Sequence, residues 1–137
     1  MPILTGILET SLYVADAQRS ARFYQGLMGF AVMVTDARLC ALNVAPGQVL
    51  LLFKRGASVK LDDRGGRSIP GHDGSGQMHL AFSIPASELG AWEKKLAERN
   101  IAIESRVQWE QGGTSIYFRD PDNHLVELAT PGVWDNY

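Results

Sequence analysis

The sequence predicts an α+β protein built from two tandem βαβββ modules, and three observations carry that prediction. Each half of the 137-residue chain reads as a strand, a helix and then three strands. A shift of 70 residues lays the first strand of one half over that of the other, placing Glu9 over His79, Leu12 over Phe82 and Val14 over Ile84. A shift of 76 does the same for the last strand, laying Leu50-Leu51-Leu52 over Val126-Glu127-Leu128, Gly47 over Asn123 and Gly56 over Gly132. A repeat that keeps register specifies the architecture, here two equivalent modules about an approximate twofold axis. The expected layout is a first module over 1–56, a connecting loop over 57–76 and a second module with a C-terminal tail over 77–137, all in one compact domain.

The elements follow in order. Ile7 to Val14 reads as a strand, and Asp16 is placed to accept from the free amides of a first helical turn. Ala17, Ser20, Ala21, Tyr24, Leu27 and Met28 then recur at helical spacing. Gly29 stands where a left-handed residue would end that helix. Strands are expected near 30–34, 38–44 and 48–53, with Pro46-Gly47 turning into the last. In the second half, Met78 to Ile84 reads as a strand. Ser87 is expected to cap a helix with a buried stripe of Leu89, Trp92 and Leu96. Strands fit 101–108, 114–119 and 124–128, the last pair joined by Asp120-Pro121-Asp122-Asn123. The glycine-rich stretch between the halves reads as a crossover, with a lid over a pocket as the alternative.

Composition narrows the function classes. A hydrophobic share of 45% allows a sizeable core, and a net charge of −2 offers no basic face for nucleic acid or an anionic membrane. No stretch approaches the ~20 apolar residues of a membrane helix. The single cysteine, Cys40, lies in Leu39-Cys40-Ala41-Leu42 and reads as a small buried hydrophobe. It excludes an internal disulfide and suits a reducing compartment, so the expected location is the cytoplasm.

Function must then be read from polar residues in apolar strands. Alternate strand residues share a face. Glu127 interrupts Leu125-Val126-Glu127-Leu128-Ala129, and a buried carboxylate without a partner is costly. By the repeat, Glu9 and His79 occupy equivalent slots, as do Leu51 and Glu127. Three of these four slots hold groups that ligate metals.

The residues that carry a family resemblance are Leu12-Tyr13-Val14-Ala15-Asp16 with Arg19-Ser20-Ala21-Arg22-Phe23-Tyr24, then Gln77-Met78-His79-Leu80-Ala81-Phe82. A third stretch runs from Ser115 through Asp120-Pro121-Asp122-Asn123-His124 to Leu128. On these the chain resembles the vicinal oxygen chelate superfamily of glyoxalases, bleomycin-resistance proteins and extradiol dioxygenases, over nearly its whole length. The resemblance implies a half-open, curved mixed β-sheet barrel with helices outside, a bound divalent metal and a homodimer. It implies Glu9, His79 and Glu127 as metal ligands, with Glu9 replacing the usual histidine and Leu51 leaving the fourth slot to substrate. One imidazole with two carboxylates is a hard set, suited to Fe(II), Mn(II) or another divalent ion. Tyr117 resembles the active-site tyrosine of extradiol dioxygenases. His72 is a second acid–base candidate from the central loop, and Leu51, Trp109 and Tyr117 are candidates for substrate contact. The expected activity is metal-dependent chemistry on a small molecule with vicinal oxygens, leaning toward a dioxygenase. Lyase or isomerase chemistry, and a metal-free sequestering protein, are the alternatives.

Overall fold

The computed structural model describes residues 1–137 apart from the side chain of residue 64, and its chain divides into two compact units, Met1–Gly76 and Gln77–Tyr137. In the first, β1 (Glu9–Val14) leads into α1 (Ala17–Met28), followed by β2 (Ala31–Thr35), β3 (Leu39–Ala45) and β4 (Gln48–Lys54). The strand order is β1-β4-β3-β2, with β1 parallel to β4 and the other pairs antiparallel. The second unit has β5 (His79–Ser83), a 3-10 turn (Ala86–Glu88), α2 (Leu89–Glu98), β6 (Ser105–Gln108), β7 (Thr114–Arg119) and β8 (Leu125–Ala129). Its order, β5-β8-β7-β6 with β5 parallel to β8, repeats that of the first unit.

The repeat holds at the level of single residues. Glu9 pairs with Val49 and His79 with Leu125; Leu12 pairs with Leu52 and Phe82 with Leu128. Gly47 and Asn123 both adopt the left-handed conformation, at φ 72° and 65°, as the two equivalent hairpins require.

In the first unit, α1 buries Ala17, Ser20, Ala21, Tyr24 and Leu27 and lies against β2, β3 and β4. Leu12, Val14, Cys40, Leu42, Leu50 and Leu52 complete that core; each large apolar side chain withdrawn from water contributes about 1.5–3 kcal/mol. Cys40 packs there as expected, its Sγ 3.1 Å from Thr35 Oγ1. Strand alternation leaves Glu9, Ser11, Tyr13 and Leu51 on the opposite face. The connecting residues fold onto this unit: Asp62 bridges Ile69, the Asp73 carboxylate accepts from Gly56 N, and Arg38 pairs with Asp62 at 3.1 Å.

Asp16 caps α1, its carboxylate accepting from Arg19 N at 3.0 Å, and Gly29 closes the helix at φ 77°. That backbone hydrogen bond holds the Asp16 carboxyl below the usual 3.8. A group depressed on folding stabilises fully above its unfolded value and ceases to do so as pH falls through its folded value. We therefore expect the wild-type chain to have a higher urea midpoint than Asp16→Ala at pH 7, and the gap to close below about pH 3.8. A gap independent of pH would assign the difference to helix propensity rather than to the charged cap.

The second helix departs from expectation. Ser87 does not cap it; it lies inside the 3-10 turn, and α2 begins at Leu89 with Glu88 at the N-cap. Pro85 precedes this turn in extended conformation. Of the predicted stripe only Leu96 is buried, while Leu89 and Trp92 are half-buried. Residues 101–104 also stay outside β6, which starts at Ser105. Among the described residues, no helix is long and apolar enough to cross a membrane.

Candidate metal centre

The β7–β8 hairpin builds the centre of the second unit. Its turn is held by Asp120, whose buried carboxylate accepts from the amides of Asp122 and His124 at 2.9 Å each. His124 is fully buried, and its Nδ1 accepts from Met78 N at 2.9 Å. This fastens the first residue before β5 to the hairpin. Arg119 faces outward to Glu104 at 2.7 Å, as a surface pair.

With β5 so placed, His79 lies beside β8. Its Nδ1 is 3.0 Å from the Leu125 carbonyl, which only accepts, so Nδ1 carries the hydrogen. A neutral imidazole then presents its lone pair at Nε2, and Nε2 lies 3.1 Å from Oε1 of Glu127. Two acceptors face each other at that distance only across a shared proton or a bound cation. Two ligand bonds of ~2.1 Å at about a right angle put their donor atoms about 3 Å apart, so the pair fits a divalent metal. The backbone carbonyl on Nδ1 is the support that metal-binding histidines use to hold their ring. Glu127 is 6% exposed, and its other oxygen, Oε2, accepts from Ser115 Oγ at 2.6 Å.

Tyr117 sits directly across from Glu127 in the β7–β8 ladder. Burial first, and then the negative charge of Glu127, push its phenol above the ordinary tyrosine value of 10.0, so it keeps its proton at neutral pH. His79, Tyr117 and Glu127 share a cavity of about 460 Å³ with Ala81, Trp109 and Trp134. The wall opposite the strands comes from the C-terminal segment. Gly113 N donates to Gly132 O, Gly132 N to Tyr137 O, and the Tyr137 hydroxyl to Ala129 O at 2.8 Å.

The remaining sequence candidates belong to the first unit. Glu9 is exposed at the start of β1, and Leu51 is half-buried in β4, paired with Ser11. His72 is no loose loop residue. Its Nδ1 lies 2.6 Å from the Tyr13 hydroxyl and its ring packs edge-on against Phe53. Among the described residues, no three His, Cys, Asp or Glu side chains form a group that could hold a metal ion; the second unit contributes the pair His79 and Glu127.

Sequence reasoning missed Ser115 and Tyr137. Ser115 was open to discovery, because it lies two residues from Tyr117 and so shares its face. Tyr137 gave no signal, since it reaches the site by a return of the chain.

A family model for the Glyoxalase/Bleomycin resistance protein/Dioxygenase superfamily matches residues 6–128. The chain is 45% identical over 133 residues to the metallothiol transferase FosB of Bacillus licheniformis, covering 96% of this chain and 79% of that protein. It is 27% identical to the catechol-2,3-dioxygenase of Bacillus subtilis, over 90% of this chain and 41% of that one. The crystal structure of a lactoylglutathione lyase from Agrobacterium tumefaciens superposes with a TM-score of 0.87 at 28% identity, covering 96% and 98% of the two chains.

Proposed function

We propose that this chain, which belongs to the Glyoxalase/Bleomycin resistance protein/Dioxygenase superfamily, is a divalent-metal-dependent enzyme acting on a small molecule. The observation that carries the proposal is the His79–Glu127 pair: a ring locked by the Leu125 carbonyl, with Nε2 left 3.1 Å from a buried carboxylate oxygen. Glu9, equivalent to His79 by the repeat, is the proposed third ligand. The set is hard, and suits Fe(II), Mn(II) or a similar ion. Such an ion supplies Lewis-acid stabilisation of charge on a substrate oxygen.

The chain's own residues do the rest. Trp109 and Trp134 present an apolar wall to the body of the substrate. Tyr117 holds a phenolic proton beside Glu127. His72 is the acid–base candidate of the first unit, with the ring nitrogen not engaged by Tyr13 free for a substrate proton. Leu51 supplies an apolar contact where a further ligand would otherwise stand.

For the reaction we favour transfer of a thiol to an electrophilic carbon, which the 45% identity to a metallothiol transferase supports. The sulfur–carbon bond forms, a carbon–oxygen bond opens, and the thiol proton ends on the released oxygen. No electrons change hands. The dioxygenase chemistry expected from the sequence has weaker support, a 27% likeness spanning 41% of the relative. The proposal includes a homodimer in the cytoplasm; β2, exposed along its whole length with Val32, Met33 and Val34 uncovered, favours a second subunit.

Elemental analysis of protein purified without chelator, beside Glu9→Ala and His79→Ala, tests this reading. The expected result is about one equivalent of divalent metal in the wild type and none in either variant. Metal retained by the Glu9 variant would remove that residue from the ligand set. A wild type without metal that returns its ligand unaltered would be a sequestering protein instead.

A further inference from the structure

A hydrogen-bond chain behind Glu127 starts at Trp109. The indole N–H of Trp109 lies 2.8 Å from Ser115 Oγ, and an indole nitrogen donates but never accepts. The serine oxygen is therefore the acceptor in that contact. Its single hydrogen goes to the charged acceptor, Oε2 of Glu127, 2.6 Å away, while the Tyr117 hydroxyl also hydrogen-bonds with Ser115 and Glu127. Ser115 is fully buried, so no water competes for the hydroxyl. The Glu127 carboxylate then has one oxygen bound to the protein and one, Oε1, turned to His79 Nε2.

We infer that Trp109 and Ser115 are positioning residues. They orient the Glu127 carboxylate so that Oε1 alone is presented to the cation, and they hold it there before any metal arrives. This rests on the metal-ligand reading of His79 and Glu127, and adds to it a relay reaching from the cavity wall to a ligand atom. A carboxylate free to rotate would have to be ordered at the moment of binding, whereas this one is already fixed. The relay also gives Trp109 a reason to stand at the cavity that contact with substrate does not require.

The test titrates Mn(II) into the full chain, counting free ion by electron paramagnetic resonance, for wild type, Ser115→Ala, Ser115→Thr and Trp109→Phe. Loss of a supporting hydrogen bond weakens metal affinity about 10–100-fold. That is the loss expected for Ser115→Ala, with a smaller loss in Trp109→Phe, which keeps an aromatic side chain but removes the N–H donor with the five-membered ring. Ser115→Thr restores the hydroxyl and is expected within a few-fold of wild type. In the metal-free protein, the proton resonance of the Trp109 indole N–H should move upfield in Ser115→Ala and hold its place in Ser115→Thr. Wild-type Mn(II) affinity in a folded Ser115→Ala, or an indole resonance indifferent to Ser115, overturns the inference and leaves the ligand pair standing. A wild type that takes up no Mn(II) overturns the ligand reading, and the relay falls with it. Should Ser115→Ala not fold, Trp109→Phe decides alone: unchanged affinity overturns the relay.

Discussion

Replacing Glu127 by glutamine, E127Q, is expected to abolish divalent-metal binding while making the metal-free chain more stable. The first half follows from charge: a neutral amide is a poor ligand, and affinity should fall by more than the 10–100-fold that a lost supporting hydrogen bond costs. The second half follows from the geometry of the pair in chelator-treated protein. In the metal-free wild type, Nε2 of His79 and Oε1 of Glu127 can stay 3.1 Å apart only across a proton taken from solvent, in a site where Glu127 is 6% exposed. Glutamine keeps a carbonyl oxygen to accept from Ser115 and turns its NH₂ toward Nε2, so the hydrogen bond forms without taking up a proton. A buried charge is also removed. One net hydrogen bond is worth about 1 kcal/mol, which corresponds to a rise of about 4 °C in melting temperature for a domain of this size. Calorimetry of chelator-treated proteins at pH 8 checks the sign. A lower melting temperature for E127Q would mean that Glu127 is satisfied without a metal, and would count against the metal centre.

Gly132→Ala should destabilise the second unit and open its cavity together. Gly132 has φ 103°, and a Cβ built there would lie 2.5 Å from Gly113 N and 2.7 Å from Gln111 O. Both are backbone atoms with no rotamer to yield. Gly113 is equally tight against Gly132, so the 109–113 turn and the C-terminal segment meet only because neither carries a side chain there. Backbone strain of about 1–3 kcal/mol adds to the weakening of two hydrogen bonds, Gly113 N to Gly132 O and Gly132 N to Tyr137 O, each worth about 1 kcal/mol. A loss near 3 kcal/mol lowers the melting temperature by about 10 °C. Trp109, 38% exposed and lining the cavity beside this contact, should emit further to the red as water enters, whereas Trp134 is already 71% exposed. An alanine variant with wild-type melting and emission would show that the contact does not hold the wall in place.

How legible the site was depends on the kind of information each residue carries. Glu127 stood out because a carboxylate breaks an apolar strand, and the cost of burying charge is a local signal. His79 and Glu9 stood out through the repeat, which turns sequence position into equivalence of place. Tyr117 could be found from its distance to Glu127 across a recognisable turn. Ser115 could be placed on the face of Tyr117 by spacing, but its role as a support needed its partners Trp109 and Glu127. His72 was read as a loop residue, whereas Tyr13 and Phe53, distant in sequence, hold its ring. Ser87 misled for a related reason: a serine before a helical stripe looks like a cap, but Ser87 falls inside the 3-10 turn that precedes α2.

By itself, the sequence determined the two βαβββ units, the register that relates one to the other, and the shared faces of Glu9, Ser11 and Tyr13 and of Leu125, Glu127 and Ala129. These follow from periodicity and from the equivalence of Glu9 with His79 and Leu51 with Glu127, and periodicity is a property of neighbours along the chain. Only the tertiary structure decided which nitrogen of His79 is free, which oxygen of Glu127 it meets, and how Trp109 and Ser115 hold the other. Those outcomes depend on hydrogen-bond directions between β5, β7 and β8 and on the return of residues 130–137. Cross-strand geometry of that kind is fixed to tenths of an ångström by packing, and no spacing within one segment encodes it.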